Sequence, residues 1–306
     1  MLCACTHVPE MEVVVHECAA PWEGRACAMT FATGNKAYVV SGRLQNQHYS
    51  ATMLCYDAAT DTWSDAAIPF SPRANGTVCV TSQGVFMGLG YKEGYIYDEQ
   101  NYLHDWWHFN PATGQWTQLA DYPLDEVVAP VSWSDNEHVW VACGFKRSFT
   151  NEVYRYDIAT DSWTRVQDSP IRVMSAVAAT CQGRHFVGTG FRNTGQNAWW
   201  EFIDDDHYTQ RASLPGLGRH NAACAATDKA VWVMGGIHFG DTLTTGFYFN
   251  DILRYSPDED QWTLCGTLPC GTMENGAACA IGNRLYFGLG EDKRGQMHLH
   301  WYSIDD

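Results

Sequence analysis

The 306-residue sequence has no run of about eighteen apolar residues, which is the length a transmembrane helix needs. It is also poor in positive charge, since 19 Lys and Arg stand against 35 Asp and Glu, for a net charge of −16. A field of that sign repels phosphate groups. We therefore expect no nucleic acid, no anionic membrane surface and no transmembrane segment among the features of this protein.

The familiar catalytic and metal-binding motifs are missing as well. The sequence contains no Gly-x-Ser-x-Gly elbow, no P-loop and no His-Glu-x-x-His. Its 12 cysteines include no Cys-x-x-Cys pair of zinc spacing. His298 and His300 could share one face of a strand, but a solvated pair is the interpretation we favour. The sequence therefore predicts neither a metal site nor a cofactor; a disulfide between Cys265 and Cys270 and two free thiols both remain open.

What the sequence has in plenty are aromatic residues and glycines, with 13 Trp, 15 Tyr and 27 Gly. Short apolar runs alternate with breaks at Gly, Pro, Asn and Asp, which is typical of strands joined by tight turns. Hydrophobic residues make up 45% and charged residues 18%, as in ordinary globular proteins. The composition favours an all-β fold.

Two anchors recur through the whole chain and divide it into six units of roughly fifty residues. The first is a small or apolar residue plus Gly after a short apolar strand. It occurs at Ser41-Gly42, Leu89-Gly90, Cys143-Gly144, Thr189-Gly190, Gly235-Gly236 and Leu289-Gly290. The second is an aromatic residue closing another strand. It occurs at Tyr56, Phe109, Tyr156, Phe202, Tyr255 and Tyr302, followed in four units by Trp63, Trp116, Trp163 and Trp262.

The pattern in residues 235–262 carries a resemblance to a known family. Gly235-Gly236, then Asn250-Asp251 and an aromatic at Tyr255, then Trp262, resembles the kelch motif. The other five units repeat this pattern, several with one of the two glycines. The resemblance implies a closed six-bladed β-propeller with four strands per blade, because a single blade cannot bury both of its faces alone.

The two ends of the repeat predict how the propeller closes. The sixth unit ends soon after Tyr302 and lacks an outer strand, whereas the apolar segment Glu12 to His16 precedes the first unit without a blade of its own. We expect this segment to complete the last blade, which would leave no unpaired seam. The predicted domains are a tail at 1–10 and one propeller at 11–306.

The resemblance also indicates which face would bind a ligand. In kelch propellers this face holds the loops after the double-Gly strand and the loops before the innermost strand. Arg25, Arg73 and Arg219 each precede the second Gly by 17 residues. Two residues further on, six side chains should surround the mouth of the central channel: Cys27, Asn75, Ala129, Ser175, Asn221 and Asn275. Asn in this ring could bind a sugar or a peptide backbone, or could stabilise its own turn.

The loops after the double-Gly strand add candidate ligand-binding residues around that mouth. They bring cations and aromatics together although the chain is acidic, so a cationic, aromatic rim is expected there, or merely solvated loop charges. The candidates are Arg43, Tyr91, Lys92, Arg147, Arg192 and His238, to which the ring adds Asn75, Ser175, Asn221 and Asn275. Two longer loops, 91–102 and 237–249, contribute further aromatics, including Tyr95, Tyr97, Phe239 and Phe247.

These features support two functions. The one we favour is a non-catalytic binding propeller that recognises a protein segment or a glycan on the mouth face. The alternative is a carbohydrate enzyme similar to the sialic-acid mutarotases, which are six-bladed kelch propellers. Opening a cyclic sugar needs only proton transfers, and Glu274, Glu291, Arg219 and His220 are the weak candidates for that role.

The first five residues suggest a location. Met1-Leu2-Cys3-Ala4-Cys5 resembles the end of a bacterial lipoprotein signal, in which the final Cys becomes acylated. The basic and apolar stretches that should precede it do not occur in this sequence. A lipid anchor at Cys5 and a periplasmic or cell-envelope location are expected if the match is real, and a cytoplasmic location otherwise.

Overall fold

The structure is a computed structural model that describes residues 8–94, 98–124, 127–239 and 246–306. Within these residues it consists of six four-stranded antiparallel sheets arranged as the blades of a propeller, with three added two-stranded hairpins. The described helical structure is a single turn of 3-10 helix, Glu99–Asn101. No helix among the described residues has the length and apolar character to cross a membrane. The predicted all-β, six-bladed fold is confirmed.

The strands of blades 1 to 5 run from the channel outward in chain order, and so do the first three strands of blade 6. The strands of blades 1 to 3 are Met29–Thr33, Lys36–Val40, Thr52–Asp57, Thr62–Ala67; Thr77–Thr81, Gly84–Gly88, Trp106–Asn110, Gln115–Leu119; and Val131–Ser134, His138–Ala142, Val153–Asp157, Ser162–Arg165. Those of blades 4 to 6 are Val177–Cys181, Arg184–Gly188, Trp199–Asp204, His207–Arg211; Ala223–Ala226, Val231–Met234, Asp251–Ser256, Gln261–Thr267; and Ala277–Ile281, Arg284–Gly288, Trp301–Asp305. The hairpins Phe145–Lys146 with Ser148–Phe149, Phe191–Arg192 with Thr194–Gly195, and Ile237–His238 with Phe247–Tyr248 extend the loops after the second strands.

An N-terminal strand closes the ring. Val15–Cys18 pairs antiparallel with Trp301–Asp305 and becomes the outer strand of blade 6, with Val15 opposite Ile304 and Cys18 opposite Trp301. The strand begins slightly later than the predicted segment at Glu12. Closure by the N-terminal segment is thus confirmed.

The backbone explains why some repeats keep one glycine of the pair. The first position of the pair has φ between 55° and 63° in all six blades, and five blades place a non-Gly residue there, such as Leu89. This left-handed conformation costs an L-residue about 1–2 kcal/mol. At the second position a Cβ atom would lie only 2.4–2.9 Å from the start of an inner strand, so Gly is kept in every blade.

Hydrogen bonds of an Asp, a Tyr and a Trp side chain, which we call the clamp, join neighbouring blades at every second junction of the ring. At the junction of blades 4 and 5, Asp260 Oδ1 accepts the Tyr255 hydroxyl at 2.7 Å and the Ala212 amide at 2.8 Å, while Trp262 Nε1 donates to Ala212 O. The same contacts join blades 2 and 3 through Asp161 and blades 6 and 1 through Asp61. The recurrent Tyr and Trp of the sequence pattern therefore tie each of these blades to the chain entering from its predecessor.

The hydrophobic core lies between the blades. At the three clamped junctions a buried Trp of one blade packs edge-on against the clamp Trp of the next, with ring centroids 5.2–5.4 Å apart. These pairs are Trp106 with Trp163, Trp199 with Trp262, and Trp301 with Trp63. Rigid packing of this kind fixes the six loops that surround the mouth.

Candidate binding site at the channel mouth

The six residues predicted to ring the mouth form a closed circle of backbone hydrogen bonds. The amide of each ring residue donates to the carbonyl of the ring residue in the preceding blade, at 2.8–3.2 Å, and Cys27 N donates to Asn275 O to complete the circle. All six have φ between 51° and 58°. The mouth is therefore a rigid backbone ring whose side chains surround a cavity of about 150 Å³.

The left-handed backbone accounts for part of the asparagine enrichment. Asn tolerates this conformation better than most L-residues, and three of the six ring positions hold it: Asn75, Asn221 and Asn275. Two of the three side chains also reach outward into a polar network, since Asn221 Nδ2 donates to Glu274 Oε2 at 3.0 Å and Asn275 Nδ2 to Glu291 Oε1 at 3.2 Å. The side chains of Asn221 and Asn275 thus bond to the two Glu residues, and ligand binding by the ring stays a prediction.

This polar network occupies one side of the mouth, where blades 5, 6 and 1 meet. The buried Glu291 forms an ion pair with Arg43, whose side chain comes from blade 1. Glu274 and Glu291 are also linked by a backbone bridge, with amide-to-carbonyl distances of 3.0 Å in both directions. We call Arg43, Asn221, Glu274, Asn275 and Glu291 the carboxylate wall.

Burial changes the acidity of two groups at the wall. It raises the pKa of Glu274, with the charge of Glu291 adding to the effect and the Asn221 amide and Arg43 opposing it. Burial also raises the pKa of the neighbouring Cys27 thiol to about 12. The thiol is therefore neutral at physiological pH and a weak nucleophile, whereas Glu274 holds a proton more readily than an exposed Glu.

Aromatic side chains lie around the ring on the loops of blades 1 to 5. Tyr49 packs edge-on against Tyr91, and both belong to a cluster that also contains Phe145 and contacts Cys27 of the ring. From Phe145 the contacts continue through Phe149, Phe191 and His220, with successive ring centroids 5.4, 5.9 and 4.9 Å apart. We call this set of six rings the aromatic arc.

The cations of the predicted rim have different environments. Arg43 is paired with Glu291, and Lys146 with Glu152. Lys92, Arg147, Arg192 and Lys293 are exposed. Ser175 lies in the ring as predicted. The rim thus combines paired and exposed cations with the two carboxylates of the wall.

Arg219, a weak catalytic candidate from the sequence, is buried inside blade 5. Its guanidinium donates to both carboxylate oxygens of Asp251, at 2.6 and 2.8 Å, and to Gly235 O at 3.0 Å, and it stacks over Phe249 at 3.7 Å. Arg73 pairs with Asp105 in the same way in blade 2. These arginines hold the loop before the inner strand against the third strand, which is a structural role.

Two histidines stand next to the mouth in blade 5. His220 is half-buried in the aromatic arc, and burial followed by the charge of His238 lowers its pKa to about 4, so the imidazole is neutral at pH 7. His238 is buried and its Nδ1 lies 2.7 Å from Gly218 O. His220 therefore supplies no positive charge to the rim at pH 7.

Of the remaining predictions, several concern positions away from the ring. Tyr95 and Tyr97 lie outside the described residues, as does Cys5, whose lipid anchor stays a prediction. Phe239 and Phe247 are half-exposed. Cys265 and Cys270 are free thiols. His298 contacts Thr272 O, and His300 stacks on Tyr302.

Sequence reasoning missed Tyr49 and Phe149 of the aromatic arc. Both lie on the returning arm of the loop that follows the double-Gly strand, near Arg43 and Arg147 respectively. The sequence signal for these two residues is their short distance from the second Gly of the pair, which is 7 residues for Tyr49 and 5 for Phe149. A loop of this length can fold back on itself. Nothing in the repeat pattern indicates that the side chains of Asn221 and Asn275 form hydrogen bonds with the two Glu residues.

Comparisons with known proteins agree with this architecture. The Kelch motif family model matches residues 218–269. Kelch-like protein 23 of Pongo abelii is 22% identical over 80% of this chain and 42% of that protein. N-acetylneuraminate epimerase 1 of Escherichia coli O6:H1 is 23% identical over 67% of this chain and 53% of its own length, and N-acetylneuraminate epimerase of Yersinia pestis (strain Pestoides F) 25% over 77% and 55%.

A solved structure, that of YjhT, superposes with a TM-score of 0.75 at 14% sequence identity, covering 94% of this chain and 95% of the other. At that identity the likeness concerns the fold. The chain spans about two fifths to just over half of the length of these curated relatives. The chain is thus a six-bladed β-propeller that resembles kelch-repeat proteins, with a Kelch motif match at residues 218–269.

Proposed function

We propose that the protein is a non-catalytic binding propeller that holds a glycan in the channel mouth. The observation that carries this proposal is the cup formed around the ring by the carboxylate wall of blades 5, 6 and 1 and the aromatic arc of blades 1 to 5. A sugar ring presents hydroxyl groups, which need convergent polar partners, and a face of C–H groups, which packs on aromatic rings. The mouth supplies both within one rigid frame.

A protein segment is the other ligand expected for a kelch face, and the glycan is favoured by the size of the cup. The cavity inside the ring is about 150 Å³ and is lined by small residues such as Ala28, Gly76 and Ala222. It continues into channel cavities of about 200 and 300 Å³ between the inner strands. A cup of this size suits one sugar unit better than an extended peptide.

Binding is tested on an array that carries both glycans and peptides, with a variant that removes the Asn side chains. Asn75, Asn221 and Asn275 are changed together to Gly, because Gly retains the left-handed backbone of the ring. We expect the wild type to bind a subset of the glycans and the triple variant to bind them at least about tenfold more weakly, because the hydrogen bonds from the Asn amides to the sugar are lost.

The matched control is Asn193→Gly, an exposed Asn with φ of 64° on the blade 4 hairpin, outside the ring. It should bind as the wild type does. Identical profiles for wild type and triple variant would remove the ring from the site. If the protein binds peptides and no glycan, the ligand is a protein segment and the glycan proposal is overturned.

A second candidate function is epimerisation of a sugar anomer, and one observation favours it. Glu274 stands at the mouth with a raised pKa, which is the property that a general acid–base needs near neutral pH. Two of the relatives are N-acetylneuraminate epimerases. Arg219 is held by Asp251, Arg43 is paired with Glu291 and His220 is neutral, which leaves exposed cations of the rim such as Arg192 for such a reaction.

NMR exchange between the α and β anomers of N-acetylneuraminate separates the two functions. A binding propeller leaves the exchange rate unchanged at micromolar protein, which is the result we expect. Acceleration that disappears in Glu274→Gln would establish the epimerase and overturn the non-catalytic proposal.

A further inference from the structure

The charges of the carboxylate wall do not balance. Glu274 and Glu291 contribute two carboxylates and Arg43 one guanidinium, so these three groups sum to −1 when both acids are ionised. The nearby groups Cys27 and Tyr248 add no charge near pH 7, since burial raises the pKa of both. The carboxylate wall therefore keeps one uncompensated negative charge beside the ring.

That charge belongs to Glu274 rather than to Glu291. Glu291 has the Arg43 ion pair and the Asn275 amide as partners. Glu274 accepts one hydrogen bond, from Asn221, and makes no ion pair with any residue in the described parts of the chain. A largely buried carboxylate with a single neutral partner lacks most of the donors that its oxygens could accept.

An ammonium group is the ligand chemistry that completes this arrangement. It would supply both the missing charge and up to three N–H donors, and charge-assisted hydrogen bonds are about twice as strong as neutral ones. Arg43 does not repel it strongly because Glu291 already neutralises the guanidinium. A ligand carboxylate would instead meet two fixed carboxylates.

We propose that the mouth selects amino sugars over neutral and acidic sugars, with the ligand ammonium paired to Glu274. This inference rests on the glycan-binding function proposed above and narrows its ligand class. A preference for amino sugars over acidic ones also distinguishes this chain from a protein adapted to an anionic sugar.

The selectivity has a pH dependence that follows from the same contacts. Glu274 is faced by Glu291, Arg43, Cys27 and Tyr248, and burial raises its pKa. As pH falls through that raised pKa, Glu274 gains a proton and the preference for the amine is lost. The loss therefore occurs at a higher pH than it would for an exposed Glu.

The test is a set of NMR titrations at pH 6.5 with glucosamine, N-acetylglucosamine and glucuronate, repeated in the galacto series. We expect the amino sugar to bind about tenfold more tightly than its N-acetyl form, and the uronate to bind most weakly. Glu274→Gln should bring the amino sugar within about twofold of the N-acetyl form while keeping N-acetyl binding. A thermal denaturation curve checks that the variant is folded.

Glu93→Gln is the matched control, since Glu93 is an exposed acid on the blade 2 loop of the same face, paired with His48. The Glu93→Gln variant should prefer the amino sugar over its N-acetyl form by the same factor as the wild type. Equal affinity for amino and N-acetyl sugars, or tighter binding of the uronate, overturns the amine selectivity alone. Absence of binding by every sugar overturns the glycan-binding proposal and this inference with it.

Discussion

Replacing Asp251 by Ala is expected to lower the free energy of unfolding by about 3 kcal/mol, because it leaves Arg219 as a buried charge without its partner. The Arg219 side chain is 1% exposed and depends on Asp251 for two of its hydrogen bonds. Gly235 O and the Phe249 ring remain, but they do not neutralise the charge. Urea denaturation followed by Trp fluorescence measures the change.

The propeller itself provides the rescue variant. At the position of Arg219, blades 3, 4 and 6 have Val127, Val173 and Met273, each at most 2% exposed. We therefore expect Arg219→Met combined with Asp251→Ala to recover most of the lost stability. Asp258→Ala, on an exposed carboxylate of the same blade, should change it by less than about 0.5 kcal/mol. If the double variant is no more stable than Asp251→Ala, the buried charge is not the cause.

Replacing Gly90 by Ala should lower the free energy of unfolding by a similar amount and should also weaken ligand binding. The added Cβ would lie 2.4 Å from Ala74 O and 2.7 Å from Gly76 N, on either side of the ring residue Asn75. Strain at φ of 85° and the displacement of the inner strand together cost about 3 kcal/mol. The measurements are urea denaturation and glycan affinity on the same sample.

Gly114 supplies the matched control for the strain alone. Its φ is 71°, and an added Cβ meets nothing within 4 Å. Gly114→Ala should therefore cost about 1 kcal/mol and leave glycan affinity unchanged. If the two variants lose equal amounts of stability, backbone strain rather than contact with the mouth ring explains why the second Gly recurs in all six blades.

The fold could be predicted because its determinants repeat. Six copies of the Gly and aromatic anchors fixed the blade count, and the unpaired apolar segment before the first unit indicated the closing strand, found at Val15–Cys18. The clamp at Asp61, Asp161 and Asp260 was not foreseen. It depends on contacts with Ala19, Ala120 and Ala212, which are more than 40 residues away in the chain.

The site was only partly predictable, for a related reason. Alignment of the repeats located the ring position of Asn75, Asn221 and Asn275, but a repeat pattern carries no information about backbone φ or about contacts that differ between blades. The carboxylate wall joins Arg43 to Glu291, 248 residues apart. Arg219 looked available because its partner Asp251 lies 32 residues further on, in the third strand of the same blade.

The most direct test of glycan binding at the mouth is a crystal structure of the protein with the tightest-binding sugar from the array. We expect sugar density inside the ring formed by Cys27, Asn75, Ala129, Ser175, Asn221 and Asn275, with hydroxyl or amine groups against Glu274 and Asn221 and a ring face against Phe149 or Phe191. Density on the opposite face of the propeller, or on the outer strands with the mouth left empty, would contradict it.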